Sequence, residues 1–541
     1  FHMYADKIFM DGHILTMNEE QPLAEAVVVK DGIIQYVGDS KQALKWQGNH
    51  TEIINLNGKT LMPGFIESHI HPIEYAINLL EIDCRASMTP SIDAILEKVK
   101  EKAEVLPENE WIRGWGWDDS KLLEKRKITR WDLDKVAPNH PVILKRTCGH
   151  VVVVNTKALE ISGITDDTPQ PKGGNIEKDE NGNMTGILEE LAQDLLALPD
   201  YSFEELMRGF ELAQKDFAKW GITTVHDMSA VQENMELYQD FLARENLTVR
   251  VRPWIWALDQ NGWKGHLNET LALGIRSGFG HDMIRIQGMK FMLDGSVGGR
   301  TAAVNEPYEN DTSKGILYYS VDEIAPPMKQ ALMANLRIAI HAIGECAIET
   351  AIQAFEEAHQ DVDISQMRNR IEHCALPTED HLERMKKLGL IAASSIGFIY
   401  HIGDSYINNL GPERMKRVYP HQSFKKYGII APGNSDLPVT GGNPWTGIYA
   451  AVNRKTVSGR VSDDVQNISV YDAIKAYTVD AAYSSFEENQ LGVIKEGAKA
   501  DLIVVSKNPL DIDPEKLLEI EVEQTYMNGK SVYVKTPAIK S

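Results

Sequence analysis

Apolar runs of strand length alternate with amphipathic segments through the middle of the chain, and β-rich stretches stand at both ends. This pattern predicts an α/β protein: a (β/α)8 TIM barrel, a β-sandwich domain built from both termini, and an α/β insertion after the first barrel strand. The strand candidates are 60–71, 221–227, 249–257, 283–292, 335–342, 368–374, 390–395 and 428–436. Eight such units read most simply as a closed barrel, with an open doubly wound sheet as the alternative.

The termini share one idiom. Residues 7–17, 24–38 and 51–64 hold short β-branched runs broken by Asp-Gly and Asn-Gly, and 501–509 and 522–534 repeat it with Asn528-Gly529 at a turn. Such dipeptides are hairpin signals. A single sandwich from 1–63 plus 484–541 is expected, the alternative being two unrelated β pieces. The barrel is then 64–75 plus 216–483. Residues 76–215 are too long for an ordinary crossover. They are expected to form an inserted α/β subdomain capping the active site, since insertions at that end border it.

Bulk properties narrow the function. The chain has 541 residues, enough for two to four domains of roughly 100–200 residues each. Its formal net charge of −22 argues against nucleic acid and anionic membranes as partners. Cys84, Cys148, Cys346 and Cys374 are scattered, so neither a disulfide framework nor a zinc ribbon is indicated, and reduced thiols point to the cytoplasm. No apolar run approaches the roughly 20 residues of a membrane span. The start, Phe1-His2-Met3-Tyr4, lacks a basic stretch followed by an apolar one, so no signal peptide is expected, and Phe1 and His2 are expected to precede the natural Met3. The expected partner is a small-molecule substrate, and a homo-oligomer, a dimer, is the expected assembly.

His69-Ile70-His71 is the first chemical signal. Residues i and i+2 of a strand share a face, so both imidazoles would project together. Alone, such a pair is better explained by surface or hydrogen-bonded core histidines. Later strands end in the same way, however: His341 in IAIHAIG, His373 in RIEHC, Asp436 in IIAPGNSD, and Lys290 within RIQGMKFMLDGS. A lysine inside an apolar strand is unfavourable unless paired or neutralised. Four histidines, an aspartate and a lysine at equivalent strand ends would converge on one point. Their nitrogen and oxygen donors suit Zn2+ first, then Mn2+, Fe2+, Co2+ or Ni2+.

The motifs LMPGFIESHIH, GITTVHDM, KFMLDGSVGGRTA, HAIGE, RIEHC and GNSDLPV, with LGVIKEGAKADLIVVSKNP near the end, occur in an order that resembles the amidohydrolase superfamily, and within it the amidohydrolase-3 family. That family includes N-substituted formamide deformylases. The resemblance implies two divalent metal ions. His69, His71 and Asp436 would bind the more buried one, and His341 and His373 the second. Lys290, carboxylated by CO2, would bridge them. Glu345 in HAIGE departs from the more usual aspartate without touching this ligand set.

The implied activity is hydrolysis of a linear C–N amide, of N-substituted formamide or N-acyl amine type, by a metal-activated hydroxide. The enzyme class is a metal-dependent amidohydrolase acting on carbon–nitrogen bonds other than peptide bonds. Asp436 would be both ligand and proton carrier. The alternatives are a deaminase of a nucleobase-like heterocycle, against which Lys290 argues, and a cyclic amidase. A noncatalytic scaffold is disfavoured by the intact ligand set. Substrate contacts are expected from Trp115 and Trp117 of the insertion, together with Trp111, and from His150, His226 and Arg300.

Overall fold

The computed structural model describes residues 3–260 and 262–537, so Phe1 and His2 lie outside the described residues. Its chain falls into two compact units, Phe1–Pro72 with Gln214–Ser541, and Ile73–Ala213.

The first unit is built on a seven-stranded parallel sheet. Its strands are β1 (Phe65–Ile70), β2 (Ile222–Ala230), β3 (Arg250–Trp256), β4 (Gly288–Met292), β5 (Arg337–Ala342), β6 (Arg370–His373) and β7 (Ile391–Ser394), in that spatial order. The expected eighth strand, 428–436, is not a regular strand: it makes a single bridge between Ser394 and Gly433. The physical reason is local. Pro432 has no N–H to give a ladder, and Asp436 takes a left-handed φ of 52°. The segment still spans the gap between the outer strands. Ala392 N–H donates to Ile430 O and Ser394 N–H to Pro432 O on one side; on the other, Asp436 N–H donates to His69 O and His71 N–H to Leu437 O. The sheet is therefore a nearly closed barrel with an irregular last wall.

Strand alternation sorts the side chains. In β5, Ile338 and Ile340 pack outward against Ile348, Ile352 and Phe355 of the helix Glu345–His359, while Arg337, Ala339 and His341 take the opposite face. In β4, Met289 and Phe291 go outward and Lys290 inward; in β6, Ile371 goes outward and Arg370 and Glu372 inward. The helices have matching local signals. Val321–Met333 opens on a Ser320/Glu323 capping box, and Glu379–Leu388 opens on Thr378 and closes on Gly389 at φ 66°. A Cβ on Gly389 would lie 2.0 Å from Ser365 O, so the stop requires glycine twice over.

Of two smaller sheets, the first comes wholly from the N-terminal segment and the second from both ends of the chain. One orders the strands Ile33–Gly38, Ala26–Lys30, Lys7–Met10 and Glu52–Asn55; the other orders His13–Ile14, Thr60–Pro63, Leu502–Val505, Val522–Met527 and Lys530–Val534. Phe9, Val27, Leu61, Leu502 and Tyr526 share one buried cluster. The expected strand 60–71 is in fact two strands that meet at Gly64, one in the second of these sheets and one in the barrel. Thr223 Oγ1 would stand 2.3 Å from a Cβ there.

The second unit holds a six-stranded sheet with its own apolar core around Ile95, Val99, Trp117 and Leu144. Among the described residues no helix is long and apolar enough to cross a membrane.

His421 is buried, its Nε2 2.8 Å from Ser394 Oγ, and burial, aided by Arg454, pushes its pKa down to about 3. The unfolded chain, with a histidine near 6.5, therefore binds this proton first, and stability is lost as pH falls below about 6.5 toward 3. At pH 5 the loss from this group is about 2 kcal/mol. Thermal unfolding between pH 7 and 4 should show it, with a shallower slope for His421→Gln; an unchanged slope would count against a neutral buried imidazole.

Candidate metal centre

Six residues predicted from the sequence stand at the same end of the barrel strands. His69 and His71 come from β1 and the residue after it. Lys290 lies on β4, His341 on β5 and His373 at the end of β6, while Asp436 lies in the irregular last wall. The closest set is His69, His71 and Asp436, whose donor atoms all lie within 4.8 Å of one another. Asp436 Oδ1 is 3.0 Å from His69 Nε2 and 2.8 Å from His71 Nε2, and its Oδ2 is 3.9 Å from His373 Nε2. The His373 ring centre is 4.7 Å from that of His69 and 4.6 Å from that of His341.

The partners of these rings decide where their lone pairs go. His69 Nδ1 is 2.8 Å from Glu372 Oε1, an acceptor held by Arg370, so Nδ1 carries the proton and Nε2 the lone pair. His373 Nδ1 is 2.6 Å from Ser395 Oγ, whose own proton goes to Asn434 Oδ1; Ser395 must accept, and His373 Nε2 is left with the lone pair. His341 Nε2 is 2.8 Å from the Gly295 carbonyl, which can only accept, so Nε2 carries the proton and Nδ1 is left with the lone pair. His71 Nδ1 is 2.7 Å from Ser229 Oγ.

This arrangement fits a cation. His69 Nε2 and Asp436 Oδ1 are both buried and make no hydrogen bond although they are 3.0 Å apart. A lone pair facing a carboxylate oxygen at that distance is repulsive unless positive charge lies between them. Burial raises the Asp436 carboxyl, but positive charge on its His69 and His71 side outweighs it and holds the group well below the usual carboxylate range. Burial, with His341 and His69 beside it, keeps His373 neutral. Burial also lowers the Lys290 ammonium, more than Glu372 and Asp436 raise it. A neutral His373, an ionised Asp436 and a Lys290 amine inclined to lose its proton are the states that metal ligation requires.

Backbone strain collects here. His373 at φ 71°, Cys374 at 51° and Asp436 at 52° all take the left-handed region without being glycine.

Several supporting residues carried no signal of their own in the sequence. Glu372 and Arg370 form a fully buried pair on the inner face of β6, with Arg370 Nη2 also donating to Ser68 O at 2.7 Å. Their trace is the alternation in Arg370-Ile371-Glu372, which puts two charges on a face that should be interior. Glu67, two positions before His69, accepts from Ser435 N–H at 2.8 Å, and burial pushes its carboxyl up to about 8. Asp294 accepts from Ile343 and Gly344 N–H and fixes the turn after His341. Ser229 and Ser395 could not have been found from spacing.

The expected substrate contacts fare differently. A cavity of about 660 Å³ opens over the ligands, and its lining comes from the first unit: the metal-site residues, Ser229, Trp256, Trp263, Met292, Ile343, Phe398, Ile402, Tyr406, Val439, and Gly295, Ser296, Gly298 and Thr301 of one loop. Trp117 is a correction: it is wholly buried in the second unit, its indole N–H donating to Leu144 O at 2.8 Å, so it cannot wall a pocket. Trp115 lies under the Arg85 guanidinium at 4.8 Å, and Trp111 packs on the second unit's core. His150 is exposed, 3.2 Å from Glu190 Oε2. His226 is also corrected: it is fully buried inside the barrel, its Nδ1 accepting from Trp254 Nε1 and Arg370 Nη1. Arg300 pins its loop through Asn409 and Asp311 instead of lining the cavity. Glu345 pairs with Arg417, away from the ligands.

A nearly closed parallel barrel whose strand ends gather histidines, a lysine and an aspartate around one cavity defines a metal-dependent hydrolase. The chain belongs to the amidohydrolase family, whose profile matches residues 52–533. It is 33% identical to YtcJ of Bacillus subtilis (strain 168), over 98% of this chain and 99% of that one. It is 27% identical to the N-substituted formamide deformylase of Arthrobacter pascens, over 98% and 99%. Among solved structures, an uncharacterized metal-dependent hydrolase from Pyrococcus furiosus superposes with a TM-score of 0.75 at 29% identity, covering 94% of this chain and all of the other. The protein is accordingly a hydrolytic enzyme acting on carbon–nitrogen bonds.

Proposed function

We propose that this enzyme hydrolyses a linear amide, of N-substituted formamide or N-acyl amine type. The observation that carries the reading is Asp436: an ionised, buried carboxylate within 3.0 Å of two histidine nitrogens, at the floor of the cavity. The deformylase relative supports the amide class at 27% identity.

His69, His71 and Asp436 would hold one divalent ion, His341 and His373 a second, with Zn2+ first among candidates by donor type. Bound there, such ions lower the pKa of water and polarise a carbonyl. Asp436 takes the proton of the attacking water and delivers it to the amide nitrogen, so that the C–O bond forms as the C–N bond breaks and the amine leaves neutral. Lys290, whose buried ammonium is held below its ordinary pKa, would react as the free amine with CO2, releasing one proton and giving a carbamate that would serve as a shared anionic ligand. That change turns a buried cation into an anionic ligand and supports two ions over one. A heterocycle deaminase finds no comparable use for Lys290.

Prolonged chelation should abolish amide hydrolysis, and Zn2+ or Mn2+ should restore it. A panel of N-formyl and N-acyl amines, monitored by amine release, tests the substrate class; full activity after verified metal removal would overturn the reading. Carbon-13 bicarbonate should give a carbamate resonance that is absent from Lys290→Met.

A further inference from the structure

We propose that the substituent carried on the scissile amide is bulky, apolar and uncharged, and that the cavity rejects N-acyl amino acids. This rests on the amide reading above and deepens it.

The cavity, at about 660 Å³, is several times larger than a formamide group needs. Its walls are mostly carbon. Trp256 and Trp263 meet edge to face with ring centres 5.2 Å apart. Phe398 lies 5.8 Å from the His373 ring, tilted by 32°, and 6.3 Å from Tyr406. Tyr406 gives only its ring, because its hydroxyl is bonded to that of Tyr419 at 2.8 Å. Ile402 and Val439 complete the surround.

The polar groups in the lining outside the metal centre are neutral: the buried Trp256 Nε1, which makes no hydrogen bond, and hydroxyls that already have partners. Ser229 Oγ is taken by His71, Ser296 Oγ accepts from Gly299 N–H, and Thr301 Oγ1 accepts from Ser296 N–H. Among the described residues of the lining, the ionisable groups are Lys290, Asp436 and the four histidines, all of the metal centre, and Tyr406, whose buried hydroxyl stays neutral. Arg300, on the adjoining loop, is bound to Asn409 and Asp311. A carboxylate on the carbon next to the amide nitrogen would leave water for this surface with no cation outside the metal centre to meet it. An aryl or branched alkyl group would bury against the rings at no such cost.

The test compares N-phenethylformamide with both enantiomers of N-formylphenylalanine, which differ from it by one carboxylate, on the metal-loaded enzyme. The neutral compound should have a kcat/KM about 100-fold higher or more. Val439 is 56% exposed, so Val439→Arg should fold and place a cation at the rim. It should raise kcat/KM for the acid by about 10-fold or more and narrow the gap. Equal rates on the two compounds, or a preference for either acid, would overturn the inference and leave amide hydrolysis standing. An unchanged gap in Val439→Arg would overturn charge exclusion as its cause. Should neither compound be hydrolysed, the amide reading fails instead. Calorimetric titration of the same compounds then decides the cavity: tighter binding of the neutral one supports the inference, and equal or tighter binding of an acid overturns it.

Discussion

Asp436→Asn is expected to lower kcat for amide hydrolysis by about 10²- to 10⁴-fold, the usual worth of a positioned proton carrier. The substitution keeps the size of the side chain and one carbonyl oxygen, but removes the charge that faces His69 and His71 at 3.0 and 2.8 Å. An amide cannot accept the proton of the attacking water, so the step loses its base and the leaving nitrogen its acid. His69 and His71 remain, so bound metal, measured on the same preparation by elemental analysis, should fall far less than the rate. Wild-type turnover in this variant would remove Asp436 from the chemistry.

The second large effect is expected away from the cavity. Glu372→Gln should weaken metal binding by about 10- to 100-fold, read by competition with a chromogenic chelator. The carboxylate holds His69 in the tautomer that presents Nε2 and makes the ring a better donor. Burial opposes its charge, but Arg370 and His69 outweigh that and bring its pKa down to about 2. Glu372→Ala goes further, because it strands Arg370, fully buried, without its counter-ion. Removing one partner of such a pair costs about 3–5 kcal/mol, which denaturant unfolding would register. A variant with wild-type metal affinity and stability would make the pair an incidental contact.

Much of this was legible in the sequence because the relevant signals are periodic. His341 and His373 end apolar runs whose alternation already separates an outer apolar face from an inner one, and His69-Ile70-His71 obeys the same rule. Asp436 could be placed at the site although its segment is not a strand; a ligand needs a position, not a ladder. The failures have a common cause. Trp117 and His226 are residue types that serve cores and pockets alike, and only packing decides between them. Ser395, Asn434 and Ser229 orient the histidines through contacts up to 158 positions apart in the chain, which no local pattern encodes. The charged pair inside β6 was visible as an oddity, yet its partner on β1 was not.

The junction at Gly64 ties the ligands to the ends of the chain. From Thr60 to Ile70 the polypeptide passes from one sheet directly into another, with Gly64 N–H anchored on Asp501 O and no slack residue between them. The count of residues across that junction is therefore a phase setting. Adding or deleting one would rotate the second half by a single pleat, turn Ser68 and Ile70 inward, and carry both imidazoles to the wrong side together. Loop trimming elsewhere on the surface is a matter of tolerance; here a single-residue indel is equivalent to a double ligand knockout.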